Sequence, residues 1–478
     1  MARSRSQNHV TEIPYYHASV DWDDLMRKHP PPPAYELTVG RMSDEELRAH
    51  QDALFLSCVE TAWSTPFFSR RWRETGLEPG DVASLDDLHK LPVYDSDDLR
   101  EAIAERPPFG SHQPVGREEL GRVPMKLQTS GGTTGLPRVS LFDPIAWEVQ
   151  AIQGARGMWM QGARPGDIAQ IPLTCSLADA PWLAYKMCHD WLGIMPVTTG
   201  SGVVTATERQ LELALAFGTN IWVTTVEYAG RLIEVARETG FDLAQLETKL
   251  IHGYLGNDPS GARRATVEDA FGAPIYDAYG SHEIGEIACE CVHQNGLHVY
   301  EDTVFLEVLD VESGRPLDFG EKGTLVATSL HRHYAPILRY DMRDLLELYA
   351  RERCECGLLT QKLSHFMGRA DEMVKVRAQN VFPRAVEAVV LDDERCTGEY
   401  LCVATATGEG TIKTTEMAVR VERRGGDVDR HALRDDLLVA LKRVLGVRVE
   451  VEIAEPGELA PLTGLGGEGK VKRLLDLR

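Results

Sequence analysis

The run Thr129-Ser-Gly-Gly-Thr-Thr-Gly-Leu-Pro-Arg138 gathers small residues, hydroxyls and one cation into a short segment. Gly131, Gly132 and Gly135 let the backbone turn tightly and aim N–H groups at an anion, while Ser130, Thr133 and Thr134 supply hydroxyl donors. Arg138 adds a permanent positive charge. The chemistry this suits is phosphate binding. The run lacks the Gly-Lys-Ser/Thr ending of a Walker A loop, which disfavours an ordinary P-loop ATPase. Taken alone, the same composition also suits a surface loop. A second cluster is made of thiols: Cys289-Glu-Cys291 and Cys354-Glu-Cys356 lie far apart in sequence, with His293 and His298 between them. Thiolates and imidazole are the ligands of a closed tetrahedral zinc site. The other reading is reduced thiols in a core, which is the reading for Cys58, Cys175, Cys188, Cys396 and Cys402. A third feature is Lys470, which follows glycines at 464, 466, 467 and 469 near the C-terminus.

Four further segments place these features in a pattern. Ser130 through Arg138 fits, position by position, the phosphate loop of the adenylate-forming enzymes, with Arg where Lys is more usual. Asp277-Ala-Tyr-Gly-Ser-His-Glu283 resembles that family's aromatic-Gly-x-Ser/Thr-Glu motif, and Tyr340-Asp-Met-Arg-Asp344 its ribose-binding motif. Gly368-Arg-Ala-Asp-Glu-Met-Val-Lys375 resembles its hinge, and Glu468-Gly-Lys-Val-Lys-Arg473 its Gly-Lys-x-x-Arg ending. Longer stretches, such as GLHVYEDTVFLEVLD and VKVRAQNVFPRAVEAVV, resemble the phenylacetate–CoA ligase branch, from about residue 45 to the end.

The resemblance implies an enzyme that uses ATP to activate a carboxylic acid as its acyl-adenylate, with an aryl acid as the expected substrate, amino- and hydroxy-substituted ones included. Asp277, Tyr279 and Gly280 would border the nucleotide, with Tyr279 against adenine. Glu283 would hold Mg²⁺ between the phosphates, a task for a hard oxygen ligand. Asp344 would accept from the ribose hydroxyls, while Arg369 and Lys375 would lie near ribose and phosphate. Lys470 would be the catalytic lysine, with an ammonium that stabilises charge during transfer. Some relatives carry a structural zinc, which favours Cys291, His298, Cys354 and Cys356 as ligands, with Cys289 as the substitute.

Two departures bear on the acid and the acceptor. Ala378 stands where thioester-forming relatives usually have glycine, in the tunnel for the pantetheine arm. His282 stands where Ser or Thr is expected, and an imidazole there can donate to the substrate carboxylate or to a ring substituent. The acceptor is therefore left open between CoA and an amine or carrier protein. A rarer variant would activate a small oxyacid such as nitrite. A nucleotide-binding relative without chemistry is disfavoured by the intact Glu283, Asp344, Arg369 and Lys470.

The elements that must position these residues read as α/β. With 478 residues, at least two domains are expected. Residues 1–40, with Pro30-Pro31-Pro32-Pro33, read as an extended arm. Residues 41–370 read as a large layered α/β adenylation domain. Ser43 caps a helix that continues its apolar face through SCVETAWSTPFFSRRW. QLELALAFG and EYAGRLIEVARETG read as helices, and TNIWVTTV, FLEVLDV and GTLVATSL as strands. Residues 371–478 read as a small, mobile α+β domain, with the boundary near Gly368–Asp371. In it, RHALRDDLLVALKRVLG places Leu433, Leu437, Leu441 and Val444 on one helical face, and Val447, Val449, Val451 and Ile453 alternate along a strand.

Net charge is −22, from 51 basic and 73 acidic residues, so nucleic acid and anionic membrane are excluded as partners. No apolar run is long enough for a membrane span, and the N-terminus has no secretory pattern, which leaves the cytoplasm as the expected location. The expected partners are a small-molecule acid and CoA or an amine, with a homodimer left open.

Overall fold

The computed structural model describes residues 13–116, 119–130, 138–258, 260–370, 374–376, 379–407, 414–426, 428–465 and 471–478. It is a mixed α/β chain that divides into two compact units. One comprises the chain to Gly256 with Arg264–Met342 and Leu346–His365, and the other comprises Phe366–Arg478 with Asn257–Arg263 and Arg343–Leu345.

In the larger unit a hairpin of β1 (Lys126–Ser130) and β2 (Arg138–Phe142) stands apart from the main sheet. The main sheet draws on β3 (Ile168–Ile171), β4 (Met195–Thr198), β5 (Ile221–Thr225), β6 (Leu250–Tyr254), β7 (Ile275–Ser281) and β8 (Gly285–Cys289). It also includes β9 (Leu297–Val299), β10 (Val304–Leu309), β11 (Lys322–Ser329), β12 (Tyr340–Arg353) and β13 (Leu359–Leu363). Their order is β10-β11-β12-β13-β9-β8-β7-β6-β5-β3-β4. From β4 to β7 every pair is parallel, and from β7 through β8, β9 and β13 to β12 every pair is antiparallel.

The parallel half follows from the sequence. β5 reads Ile-Trp-Val-Thr-Thr and is buried along almost its whole length, as a strand covered on both faces must be. The helices Thr207–Phe217 and Val226–Thr239 lie where the periodicity places them, and each ends on a left-handed glycine, Gly218 and Gly240. The helix Pro144–Met160 is buried on nearly every face, including Gln150, Gln153 and Arg156.

Three local expectations change. Ser43 does cap the helix Asp44–Trp63, through a capping box with Glu46, but that helix stops at Ser64 and does not run on through PFFSRRW. Thr65 caps a new helix, Pro66–Glu74, whose first-turn proline suits a helix start and not an interior. The described part of the arm, 13–40, is packed and not extended. Helix Trp22–Lys28 and the segment around Tyr35 lie on the larger unit, with Leu25, Tyr35 and Val39 buried. The cause is Arg156, which is fully buried and paired with Asp302 at 2.8 Å. It donates its remaining Nε–H to the Pro30 carbonyl at 3.0 Å and stacks 4.2 Å from the Tyr35 ring centroid. A buried guanidinium needs every donor satisfied, and the arm supplies that acceptor.

The smaller unit has β14 (Val374–Val376) paired with β15 (Gln379–Val381), and a four-stranded sheet of β16 (Cys396–Thr407), β17 (Thr414–Arg423), β18 (Glu450–Ala454) and β19 (Leu474–Asp476), in the order β18-β17-β16-β19. The helix Arg430–Leu445 packs Leu433, Leu437, Leu441 and Leu445 into its core. Val444, expected on that face, is half exposed, because the buried stripe advances in steps of four and Leu445 takes the place. Val447, Val449 and Val451 are buried as their alternation requires.

Candidate active site

Five parallel strands end with β7, and the turn from β7 into β8 carries His282 and Glu283 at its carboxyl end, the edge where open α/β sheets bind ligands. The turn is tight. A Cβ on Gly280 would lie 2.3 Å from the Gly285 carbonyl oxygen, so glycine is the residue that lets β7 and β8 approach there. Ser281 Oγ accepts from the Ile284 N–H at 3.2 Å and closes the turn.

Glu283 is buried, and its Oε1 accepts no hydrogen bond from any described residue. The Arg138 guanidinium lies 3.1 Å from that oxygen and also donates to the Tyr340 hydroxyl at 2.9 Å. Arg138 is the first residue of β2 and pairs in register with Ser130, the last residue of β1. The β1–β2 hairpin therefore delivers the ends of the phosphate-loop segment to Glu283. Gly131, Gly132, Thr133, Thr134 and Gly135 lie outside the described residues, as do Lys470, Ala378 and Asp371. Lys375 lies on β14.

His282 packs edge-on to Phe142, with ring centroids 6.3 Å apart. Its Nε2 is buried with no described partner, and burial lowers its pKa below the ordinary histidine value. Tyr279 is buried, with its hydroxyl 3.8 Å from Met342 Sδ.

Asp277 is held within the larger unit. One carboxylate oxygen accepts from the Leu255 N–H at 2.9 Å and the other lies 2.9 Å from His365 Nδ1. Each oxygen has a protein partner, so Asp277 anchors β7. Glu290 reinforces that anchor: it accepts from the Asp277 N–H at 2.8 Å and from Arg264 at 2.8 and 2.9 Å.

In the smaller unit Arg369 donates to Asp344 at 2.8 Å, and the two residues also form a backbone bridge. Flanking bonds from Ala370 N–H to the Arg343 carbonyl at 2.7 Å and from Leu345 N–H to the Gly368 carbonyl at 2.8 Å hold the pair in register.

The thiol cluster is assembled as a set. Ligand atoms of Cys291, His298, Cys354 and Cys356 all lie within 4.8 Å of one another. His298 Nδ1 is 2.7 Å from Thr360 Oγ1, which turns Nε2 toward Cys356 Sγ at 3.6 Å. Cys289 lies outside this set. It is fully buried beneath the Tyr300 hydroxyl, which donates to its Sγ at 3.1 Å, and burial pushes its thiol well above the ordinary range.

Sequence reasoning passed over Arg332. It is almost fully buried and donates to the Glu283 carbonyl at 2.8 Å and the Leu141 carbonyl at 2.9 Å. No local motif marks it, because its partners are main-chain oxygens remote in sequence.

Among the described residues, no helix is long and apolar enough to cross a membrane. Residues 378–478 match the model of the AMP-binding enzyme C-terminal domain. The chain is 32% identical over 464 residues to a phenylacetate–coenzyme A ligase of Thermus thermophilus, covering 93% of this chain and 99% of that protein. It is 30% identical to a phenylacetate–coenzyme A ligase of Aromatoleum evansii, covering 92% and 96%. Among solved structures, a 2-hydroxyisobutyryl-CoA ligase in the postadenylation state matches with TM-score 0.79 and 26% identity over 91% of each chain. The chain is an AMP-forming acid ligase and belongs to the phenylacetate–coenzyme A ligase branch of the adenylate-forming superfamily.

Proposed function

We propose that this protein adenylates an aryl acid with ATP and passes the acyl group to CoA. The observation that supports it most directly is the pairing of Arg138, at the exit of the phosphate-loop segment, with the buried Glu283 at 3.1 Å. An anionic oxygen without a hydrogen-bond donor, beside a cation that ends a glycine-rich segment, suits a metal-bound polyphosphate. Glu283 is the magnesium ligand in this reading, and Mg²⁺ when bound neutralises phosphate charge. Arg138 and the segment 130–135 hold the phosphates, Asp344 and Arg369 serve the ribose, and Lys470 stabilises charge at the carboxylate and α-phosphate during transfer. His282 borders the acid and sets its substituent preference. The aryl acid follows the activity for which the related phenylacetate–coenzyme A ligases are named. Cys291, His298, Cys354 and Cys356 fit a structural zinc, with three sulfurs and one imidazole as donors. A boundary near residue 370 between an adenylation domain and a lysine-bearing domain is part of the same reading.

The test is pyrophosphate release over a panel of phenylacetate, benzoates, amino- and hydroxybenzoates and 2-hydroxy aliphatic acids, each with and without CoA, with products identified by mass spectrometry. An aryl-CoA is expected. Turnover confined to aliphatic acids would reject the substrate class, and an amide or a free adenylate as the sole product would reject the acceptor.

A further inference from the structure

We infer that Arg332 is a positioning residue that holds Glu283 in place against Arg138 by tying together the two backbone segments that carry them. The guanidinium is almost fully buried and lies 4.1 Å from the Phe142 ring centroid. Its three nitrogens donate to three separate segments: Nη1 to the Glu283 carbonyl at 2.8 Å, Nη2 to the Leu141 carbonyl at 2.9 Å, and Nε to the Ala335 carbonyl at 3.3 Å. No described carboxylate forms an ion pair with it. Burying a cation is costly, and packing alone would be served more cheaply by an apolar side chain. A planar fork that reaches three carbonyls at once is what only arginine supplies.

The mechanical consequence follows from β2. Leu141 lies three residues along that strand from Arg138, about 10 Å of stiff backbone. Fixing the Leu141 carbonyl and the Glu283 carbonyl to one rigid group therefore fixes the register of Arg138 against the Glu283 side chain. Burial lowers the Arg332 pKa to about 10, which leaves the cation intact at neutral pH.

The inference rests on the proposed role of Glu283 toward the metal–phosphate, and the test separates the two. Full-length Arg332→Met and Arg332→Lys would be compared with the unaltered protein by calorimetric titration of ATP, with magnesium and with a chelator, alongside melting curves. Arg332→Met is expected to weaken magnesium–ATP binding about ten- to a hundredfold, the range for loss of charged buried hydrogen bonds. Magnesium-free ATP binding should stay within about twofold. Arg332→Lys should recover part of the loss, since an ammonium still reaches one or two of the carbonyls. A folded Arg332→Met protein with unchanged magnesium–ATP affinity overturns the inference, as does equal weakening with and without magnesium. If Arg332→Met does not fold, Arg332→Lys decides: a lowered melting temperature with unaltered magnesium–ATP affinity is a merely structural role. Glu283→Gln with undiminished magnesium–ATP affinity removes the reading of the site itself.

Discussion

Replacing Cys354 with serine should strip a bound zinc from the protein, and the geometry sets the expected size of the effect. Zinc–sulfur bonds of about 2.3 Å and zinc–nitrogen bonds of about 2.05 Å at tetrahedral angles require sulfur–sulfur edges of about 3.8 Å and sulfur–nitrogen edges of about 3.6 Å. The Cys291 and Cys354 sulfurs are 3.9 Å apart, and Cys356 Sγ is 3.6 Å from His298 Nε2. The cluster is thus already near the size of the coordination polyhedron, and little binding energy is needed to reshape it. Cys291 follows β8, His298 lies on β9, and Cys354 and Cys356 lie between β12 and β13, so the ion would staple two hairpins, β8–β9 and β12–β13. Losing such a staple should cost about 3 kcal/mol, which lowers the melting temperature by roughly 5–10 °C. Elemental analysis of protein purified without chelators should give about one zinc per chain, and Cys354→Ser should give about none. Cys289→Ser is the control and should keep the metal, since that thiol lies under Tyr300. Absence of zinc from the unaltered protein, or retention of a full equivalent by Cys354→Ser, would refute the reasoning.

Lys470→Ala should slow pyrophosphate release about a hundredfold, as expected for loss of one electrostatic stabiliser; a near-normal rate would remove Lys470 from the mechanism. His365 should give stability a pH dependence. Its hydrogen bond to Asp277 raises its pKa above the usual value of about 6.5. The stabilisation is therefore complete below pH 6.5 and is lost as pH rises through the folded-state value. Melting curves from pH 6 to 9 should show a decline that His365→Gln lacks, and parallel curves would contradict the assignment. Ala378→Gly tests the acceptor: if the methyl obstructs pantetheine, glycine should raise the rate of thioester formation from the adenylate and leave adenylation unchanged. An unaltered thioester rate would mean that the methyl is accommodated.

How far the sequence could be read depended on whether a residue's partners were near it in the chain. Ser43 and Glu46, three positions apart, form the capping box they spell, and Leu433, Leu437 and Leu441 reach the core their spacing predicts. The motif around Glu283 was legible because a strand, a tight turn and a carboxylate are consecutive. The anchoring of Asp277 was not legible because its partners, Leu255 N–H and His365, lie just beyond the ends of other strands. The arm was misread because Pro30 and Tyr35 look like linker until Arg156, far along the chain, demands an acceptor. The choice between Cys289 and Cys291 likewise turned on Tyr300, which claims one sulfur and leaves the other for the cluster. In each case the deciding force was the cost of an unsatisfied buried polar group, which is a property of the assembled fold. Arg332 is the extreme instance. Its partners are backbone carbonyls that any residue types at 141, 283 and 335 would present, so no pattern in the chain could announce it. Residues that contact the substrate leave a chemical signature in the sequence, while residues that hold them in place through the main chain leave none, and only packing and hydrogen-bond accounting can find them.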